Sequence, residues 1–117
     1  MVKVLYVDDD KSGSESIVLC LENAGHEIIT AYGGKEGLET LLKVPGIQVI
    51  ISDYKMPEMD GGDFVKAVRS NPAYNSIPII GVSSDFPNET KAILTAHFDK
   101  PVMYTILDKE IKKLAGQ

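Results

Sequence analysis

Short apolar runs and longer amphipathic stretches alternate from one end of the chain to the other. Val2 to Val7 (VKVLYV) is a β-branched run that predicts a strand ending in Asp8, Asp9 and Asp10. From Ser14 to Asn23, Ile17, Val18, Cys20 and Leu21 recur at helical spacing, and Ala24-Gly25 is a helix stop. His26 to Ala31 predicts a second strand. After the Gly33-Gly34 turn, Gly37, Leu38, Leu41 and Leu42 mark one face of a second helix, which Pro45-Gly46 ends. Ile47 to Ser52 (IQVIIS) is nearly continuous in apolar residues, as a strand covered on both faces would be, and it delivers Asp53 at its carboxyl end. A third helix is expected from Gly62 to Arg69, with Phe64, Val65 and Val68 inward. Ile77 to Val82 is a fourth strand leading to Ser83 and Ser84. A short helical segment over Glu89 to Thr95 precedes Ala96-His97-Phe98, a brief fifth strand that runs into Lys100-Pro101. Ile106, Leu107, Ile111 and Leu114 mark the last helix.

Strands alternating with helices require right-handed crossovers and so a doubly wound, five-stranded parallel α/β sheet with helices on both faces. The 117 residues are the size of one domain, expected over 1–117. Hydrophobic residues at 44% and charged residues at 25% match an ordinary globular chain, which argues against disorder or a fibrous fold. A net charge of −5 argues against direct nucleic-acid binding through a basic surface and leaves room for an acidic cation site. Cys20 is the single cysteine; within its apolar run it is expected to be a small core residue of a reducing compartment. No apolar run approaches the roughly 18 residues of a membrane span, and the amino terminus turns acidic at once instead of running basic and then apolar. A cytoplasmic protein without membrane contact is expected.

In doubly wound sheets, ligands bind beyond the carboxyl ends of the strands, so what those ends carry matters most. Here they carry Asp8 and Asp9, Asp53, Ser83 and Lys100. Three neighbouring carboxylates repel one another unless a cation neutralises them, and hard oxygen ligands with vacant positions suit Mg²⁺ or Mn²⁺. An ammonium and a hydroxyl facing that ion would hold phosphoryl oxygens, so the set points to phosphoryl transfer. Asp10 or Ser12 is expected to cap the helix that follows. His26, far from this edge, is expected to be a surface histidine.

With these motifs in place, the chain resembles the receiver domain of two-component response regulators: LYVDDD at the first strand, ISDYKMPEMDGGDF around the third, IIGVSS at the fourth and FDKP at the fifth. The resemblance spans essentially the whole sequence. It implies a flavodoxin-like strand order 2-1-3-4-5, with Asp53 as phosphoacceptor. It implies metal binding by Asp9, Asp53 and the backbone carbonyl of Lys55, with Asp8 acting through a metal-bound water. Ser83 and Lys100 would hold the phosphoryl oxygens, with Ser83 moving as the switch. Ser84, Lys55, Met56, Pro57 and Pro101 would border the site, and Lys100-Pro101 would be a cis peptide. The donor would be a sensor histidine kinase or a histidine phosphotransfer protein, and the target an unknown downstream protein or attached output domain. Such a protein catalyses only its own phosphorylation and dephosphorylation.

Two departures from that family stand out. The stretch from Ser83 to Lys100 is several residues short, so the fourth helix should be shortened to about two turns. His97 stands where the family usually has a Tyr or Phe that swings inward, and it is either a titratable switch residue or an exposed strand histidine. Lys55, two residues after the acceptor, should point outward beside the site and alter the access of hydrolytic water. Two rival readings remain. One is a pseudo-receiver that signals through contacts alone. The other is a phosphatase of the haloacid dehalogenase type, suggested by Asp8-Asp9-Asp10-Lys11-Ser12 read as D-x-D-x-[TS].

Overall fold

The computed structural model describes residues 1–117 as strictly alternating strands and helices. They run β1 (Lys3–Val7), α1 (Lys11–Asn23), β2 (Glu27–Ala31), α2 (Gly34–Lys43), β3 (Val49–Ser52) and α3 (Gly61–Ser70), then β4 (Ile79–Val82), α4 (Asn88–Lys91), β5 (Ala96–Phe98) and α5 (Tyr104–Leu114). All strand pairs are parallel and the order is β2-β1-β3-β4-β5, the flavodoxin-like arrangement. From β1 the chain winds outward to β2, then crosses back past β1 to form β3 and goes on to β4 and β5. The winding therefore reverses between β1 and β3, and a crevice opens beyond their carboxyl ends.

Side-chain alternation along each strand divides the apolar residues between two cores. Leu5, Val7, Ile50 and Ile79 pack with Leu41, Phe64, Val65 and Val68 beneath α2 and α3. Val4, Tyr6, Val49, Ile51, Ile80 and Val82 pack with Leu21, Leu107 and Ile111 beneath α1 and α5. Full burial of each such side chain stabilises by about 1.5–3 kcal/mol, so neither face could be left uncovered.

Several boundaries and surroundings differ from the sequence-based expectations. α1 begins at Lys11, not Ser14, because the Asp10 carboxylate caps it by accepting the Gly13 N–H at 2.9 Å. Asp10, and not Ser12, is thus the cap. β4 begins after Pro78, which has no N–H to donate but accepts from Ile50 N–H through its carbonyl at 2.9 Å. The expected helix over Glu89 to Thr95 is a single turn, Asn88–Lys91. Thr95 is drawn away to the sheet, where its N–H donates to the Ile79 carbonyl at 2.8 Å and its Oγ1 accepts the Ile79 N–H at 2.9 Å. Arg69 Nε takes the Ile93 carbonyl at 2.9 Å, and Arg69 Nη1 takes that of Ile77 at 2.8 Å, so the segment ends as a clamped turn. Leu42 and Ile106, expected on buried faces, are exposed, and Cys20 is half-buried at a cavity wall instead of in a core.

His26 is the clearest correction. Its side chain is 1% exposed, and Nε2 lies 2.6 Å from Asp108 Oδ1 on α5. Nδ1 is buried without a partner. The expectation rested on its distance from the carboxyl edge of the sheet, whereas α5 folds over the amino end of β2 and encloses it.

Candidate functional site

Asp8 follows β1 directly and Asp53 follows β3. The register sets Val7 opposite Ser52, so the two carboxylates leave neighbouring strands at the same level. The Asp53 N–H donates to the Val7 carbonyl at 3.0 Å and extends the ladder by one residue. Oxygens of Asp8, Asp9 and Asp53 come within 4.8 Å of one another. Asp8 is buried, the Asp53 side chain is 12% exposed and Asp9 faces solvent. The cluster therefore opens to solvent at Asp9.

Lys100 reaches this cluster from the end of β5. Its Nζ donates to Asp53 Oδ2 at 2.9 Å and to Asp8 Oδ2 at 3.3 Å. The other Asp53 oxygen, Oδ1, accepts the Tyr54 N–H at 2.7 Å, so both carboxylate oxygens are held. Burial raises the Asp8 pKa above the ordinary carboxylate value, and the Asp53 charge adds to this. The Asp10 N–H and the Lys100 ammonium oppose both without cancelling them. For Lys100, burial pulls the pKa down, but the hydrogen bond to Asp53 and the charges of Asp8 and Asp53 outweigh it and hold the ammonium above its usual value. Burial first, and then the charges of Asp8 and Asp53, push the Tyr6 phenol far up, so it stays protonated beneath the site.

Ser83 follows β4 and is buried. Its N–H donates to the Phe98 carbonyl at 3.0 Å, and its Oγ accepts the Asp85 N–H at 3.1 Å. The hydroxyl proton remains available for donation. Ser84 is exposed beside it. Lys55 and Pro57 are exposed and Met56 is buried; with Asp9, Tyr54 and Asp60 they line a shallow hollow next to the carboxylates. Lys55 Nζ lies 3.6 Å from Asp85 Oδ2, which links the loops on either side of the site. The Lys100-Pro101 peptide is cis. His97 is exposed on β5, opposite Gly81 in the register. Gly61 lets α3 begin against the site: a Cβ there would lie 2.2 Å from the Asp53 carbonyl oxygen.

The donor set fits a hard divalent cation. It offers three carboxylates against one ammonium, all oxygen ligands, with one carboxylate open to solvent for exchange. A carboxylate held by a backbone N–H and an ammonium, with the Ser83 hydroxyl following the neighbouring strand β4, is equipped to accept a phosphoryl group. Sequence reasoning missed Tyr6, Tyr54, Asp85 and Phe86 as surroundings of the site. Phe86 did carry a signal, since it is a lone aromatic in the polar run Ser83 to Thr90.

The sequence matches the family described as "Response regulator receiver domain" over residues 4–115. Among curated proteins it is 32% identical to the chemotaxis protein CheY1 of Helicobacter pylori, covering 98% of both chains. It is also 31% identical to the sensor histidine kinase CheAY of the same species, over 94% of this chain and 14% of that longer one. Among solved structures, the chemotaxis protein CheY4 of Vibrio cholerae superposes with a TM-score of 0.86 at 36% identity, covering 97% of this chain and 98% of that one.

Proposed function

The chain belongs to the response regulator receiver domain family, and from that premise we propose that Asp53 accepts a phosphoryl group from a phosphohistidine donor. The observation that carries this reading is the convergence of Asp8, Asp9 and Asp53 with Lys100 Nζ at 2.9 Å from Asp53 Oδ2. Receiver domains are signalling switches and not classical enzymes, so one stoichiometric event is the expectation for this site. A sensor histidine kinase or a histidine phosphotransfer protein is the natural donor.

Asp8, Asp9 and Asp53, with the backbone carbonyl of Lys55, would hold Mg²⁺ or Mn²⁺. When bound, that ion supplies positive charge to offset the carboxylates and the incoming phosphoryl oxygens. A carboxylate oxygen of Asp53 forms the new O–P bond as the P–N bond to the donor imidazole breaks, and the leaving imidazole takes up a proton. Lys100 turns from the carboxylates to the phosphoryl oxygens, and Ser83 donates its hydroxyl proton to them. Phosphorylation replaces the single charge of the Asp53 carboxylate with up to two on the phosphoryl group, at a site that already carries an excess of negative charge, so the Ser83 loop moves inward to compensate. Water later attacks the phosphorus of the acyl phosphate, the O–P bond to Asp53 breaks, and inorganic phosphate leaves as the carboxylate is restored. We place the protein in the cytoplasm, where such donors act; none of its helices is long and apolar enough to cross a membrane.

Intact mass after incubation with Mg²⁺ and acetyl phosphate tests the reading. One added phosphoryl group is expected in the wild type, none without Mg²⁺ and none in Asp53→Asn. No adduct, together with no beryllofluoride complex, would establish instead an interaction module that signals by contacts alone. Phosphate released from an aryl phosphate over many turnovers would establish a phosphatase.

A further inference from the structure

Below the mouth of the site, a single aromatic contact joins the two loops that carry the acceptor and the hydroxyl. Tyr54 follows Asp53 and ties itself to that carboxylate by its N–H at 2.7 Å. Its ring meets Phe86 edge-on, with centroids 5.1 Å apart and planes at 68°. Phe86 lies three residues after Ser83 in the loop between β4 and α4. In that loop Ser84 and Asp85 are exposed, while Phe86 is 3% exposed and belongs to the core beneath α2 and α3. The ring fills the volume left open by Gly81, where an added Cβ would lie 2.9 Å from Phe86 Cε2 and 2.7 Å from Leu94 Cδ1. Gly81 thus makes room for an aromatic anchor that a larger residue would expel.

The loop has few other restraints. Ser83 is tied to β5 through its N–H, and its Oγ accepts from Asp85 N–H. The Lys55–Asp85 pair spans the mouth at 3.6 Å, but its side chains are 78% and 50% exposed, so solvent screens it. His97, on the strand beside Gly81, is exposed and leaves the buried space to Phe86.

We propose that Phe86, seated on Tyr54 above Gly81, is the positioning residue that sets the Ser83 hydroxyl relative to the Asp53 carboxylate. It touches neither the donor nor the phosphoryl group and acts through the loop. This rests on the receiver reading and names a determinant within the same site. Its consequence is that inward movement of Ser83 drags on the Tyr54–Phe86 contact, so the acceptor side and the hydroxyl side of the site respond together.

The test is beryllofluoride affinity in the presence of Mg²⁺, measured by NMR titration on the full chain. Phe86→Leu and Tyr54→Leu are each expected to bind about threefold to tenfold more weakly, the scale of an edge-on aromatic pair. In a Ser83→Ala background the same substitution should change affinity by less than about twofold, because the group being positioned is gone. Without any ligand, ¹⁵N relaxation should show greater mobility at Ser84 and Asp85 in Phe86→Leu. Val68→Ala, in the same core but away from the loop, lowers stability and should leave affinity unchanged, which separates positioning from general loosening. Unchanged affinity in Phe86→Leu, or an equal loss in the Ser83→Ala background, overturns the proposal. Absence of any complex in the wild type overturns the receiver reading, and this inference with it.

Discussion

The molecule carries two ionic clusters of similar parts at opposite ends of its sheet, and they are built to opposite ends. At the carboxyl edge, Lys100 stands among Asp8, Asp9 and Asp53, so negative charge is in excess and Asp9 is open to water. At the amino edge, Asp108 alone stands between His26 Nε2 at 2.6 Å and Lys112 Nζ at 3.1 Å. The first cluster keeps negative charge in excess beside solvent, which suits the cation and the phosphoryl group proposed for it. The second is closed and joins α5 to the start of β2. The ionisation behaviour of the two acids follows. Burial and the Asp53 charge raise the Asp8 pKa. Burial also acts to raise that of Asp108, but hydrogen bonds from His26 and Lys112 outweigh it and bring it below the ordinary value. The open cluster keeps its charges in tension, whereas the closed one offsets them.

Removing the one cation of the open cluster should have the largest effect. Lys100→Met is expected to slow phosphorylation by acetyl phosphate by about a hundredfold or more while the chain stays folded, as intact mass against time would show. Removing the imidazole of the closed cluster should instead cost stability. His26→Ala leaves a cavity and strips Asp108 of a partner, so urea unfolding should show a loss of about 2–3 kcal/mol with beryllofluoride affinity retained.

The two acids should differ in sign. Asp8→Asn relieves a buried charge and is expected to stabilise the metal-free protein by about 0.5–1 kcal/mol while weakening Mg²⁺ binding. Asp108→Asn should destabilise. Stability measured against pH sharpens the contrast. The folded-state pKa of Asp108 is depressed, so its contribution is complete above the ordinary value of 3.8 and is lost as pH falls through the depressed one. The folded-state pKa of Asp8 is raised, so its contribution is complete below 3.8 and is lost as pH rises through the raised one. Each Asn variant should flatten its own limb of the profile. If the two variants change stability in the same direction, the distinction between the clusters fails.

The smallest effect is expected at the mouth. Lys55→Asn removes an exposed ion pair with Asp85, opens the site to water and should shorten the life of the phosphorylated form by about twofold to fivefold. Equal decay rates in wild type and variant would show that the pair does not govern water access.

The carboxyl-edge cluster could be found without coordinates because each member ends a strand. Strands end directly before Asp8, Asp53 and Ser83 and two residues before Lys100, and parallel topology alone sends all those ends to one edge. The latch could not be found in that way. His26 and Asp108 lie 82 residues apart, and neither sits in a pattern that names the other. Leu42 and Ile106 mislead for a related reason: helical spacing identifies an apolar stripe, but the neighbouring elements decide how wide a stripe is covered. In α4 the local pattern was overruled by partners remote in sequence, as β4 took Thr95 and Arg69 took the Ile93 carbonyl.

Periodicity and strand ends, which are local and repeat within a few residues, thus determined the alternating fold, its parallel sheet and the acidic edge. Tertiary structure alone decided which lone residues became buried: His26 under α5, and Phe86 against Tyr54 in the space left by Gly81. Those outcomes depend on where distant segments close over one another, and hydrophobic or polar character at a single position does not encode its distant neighbour.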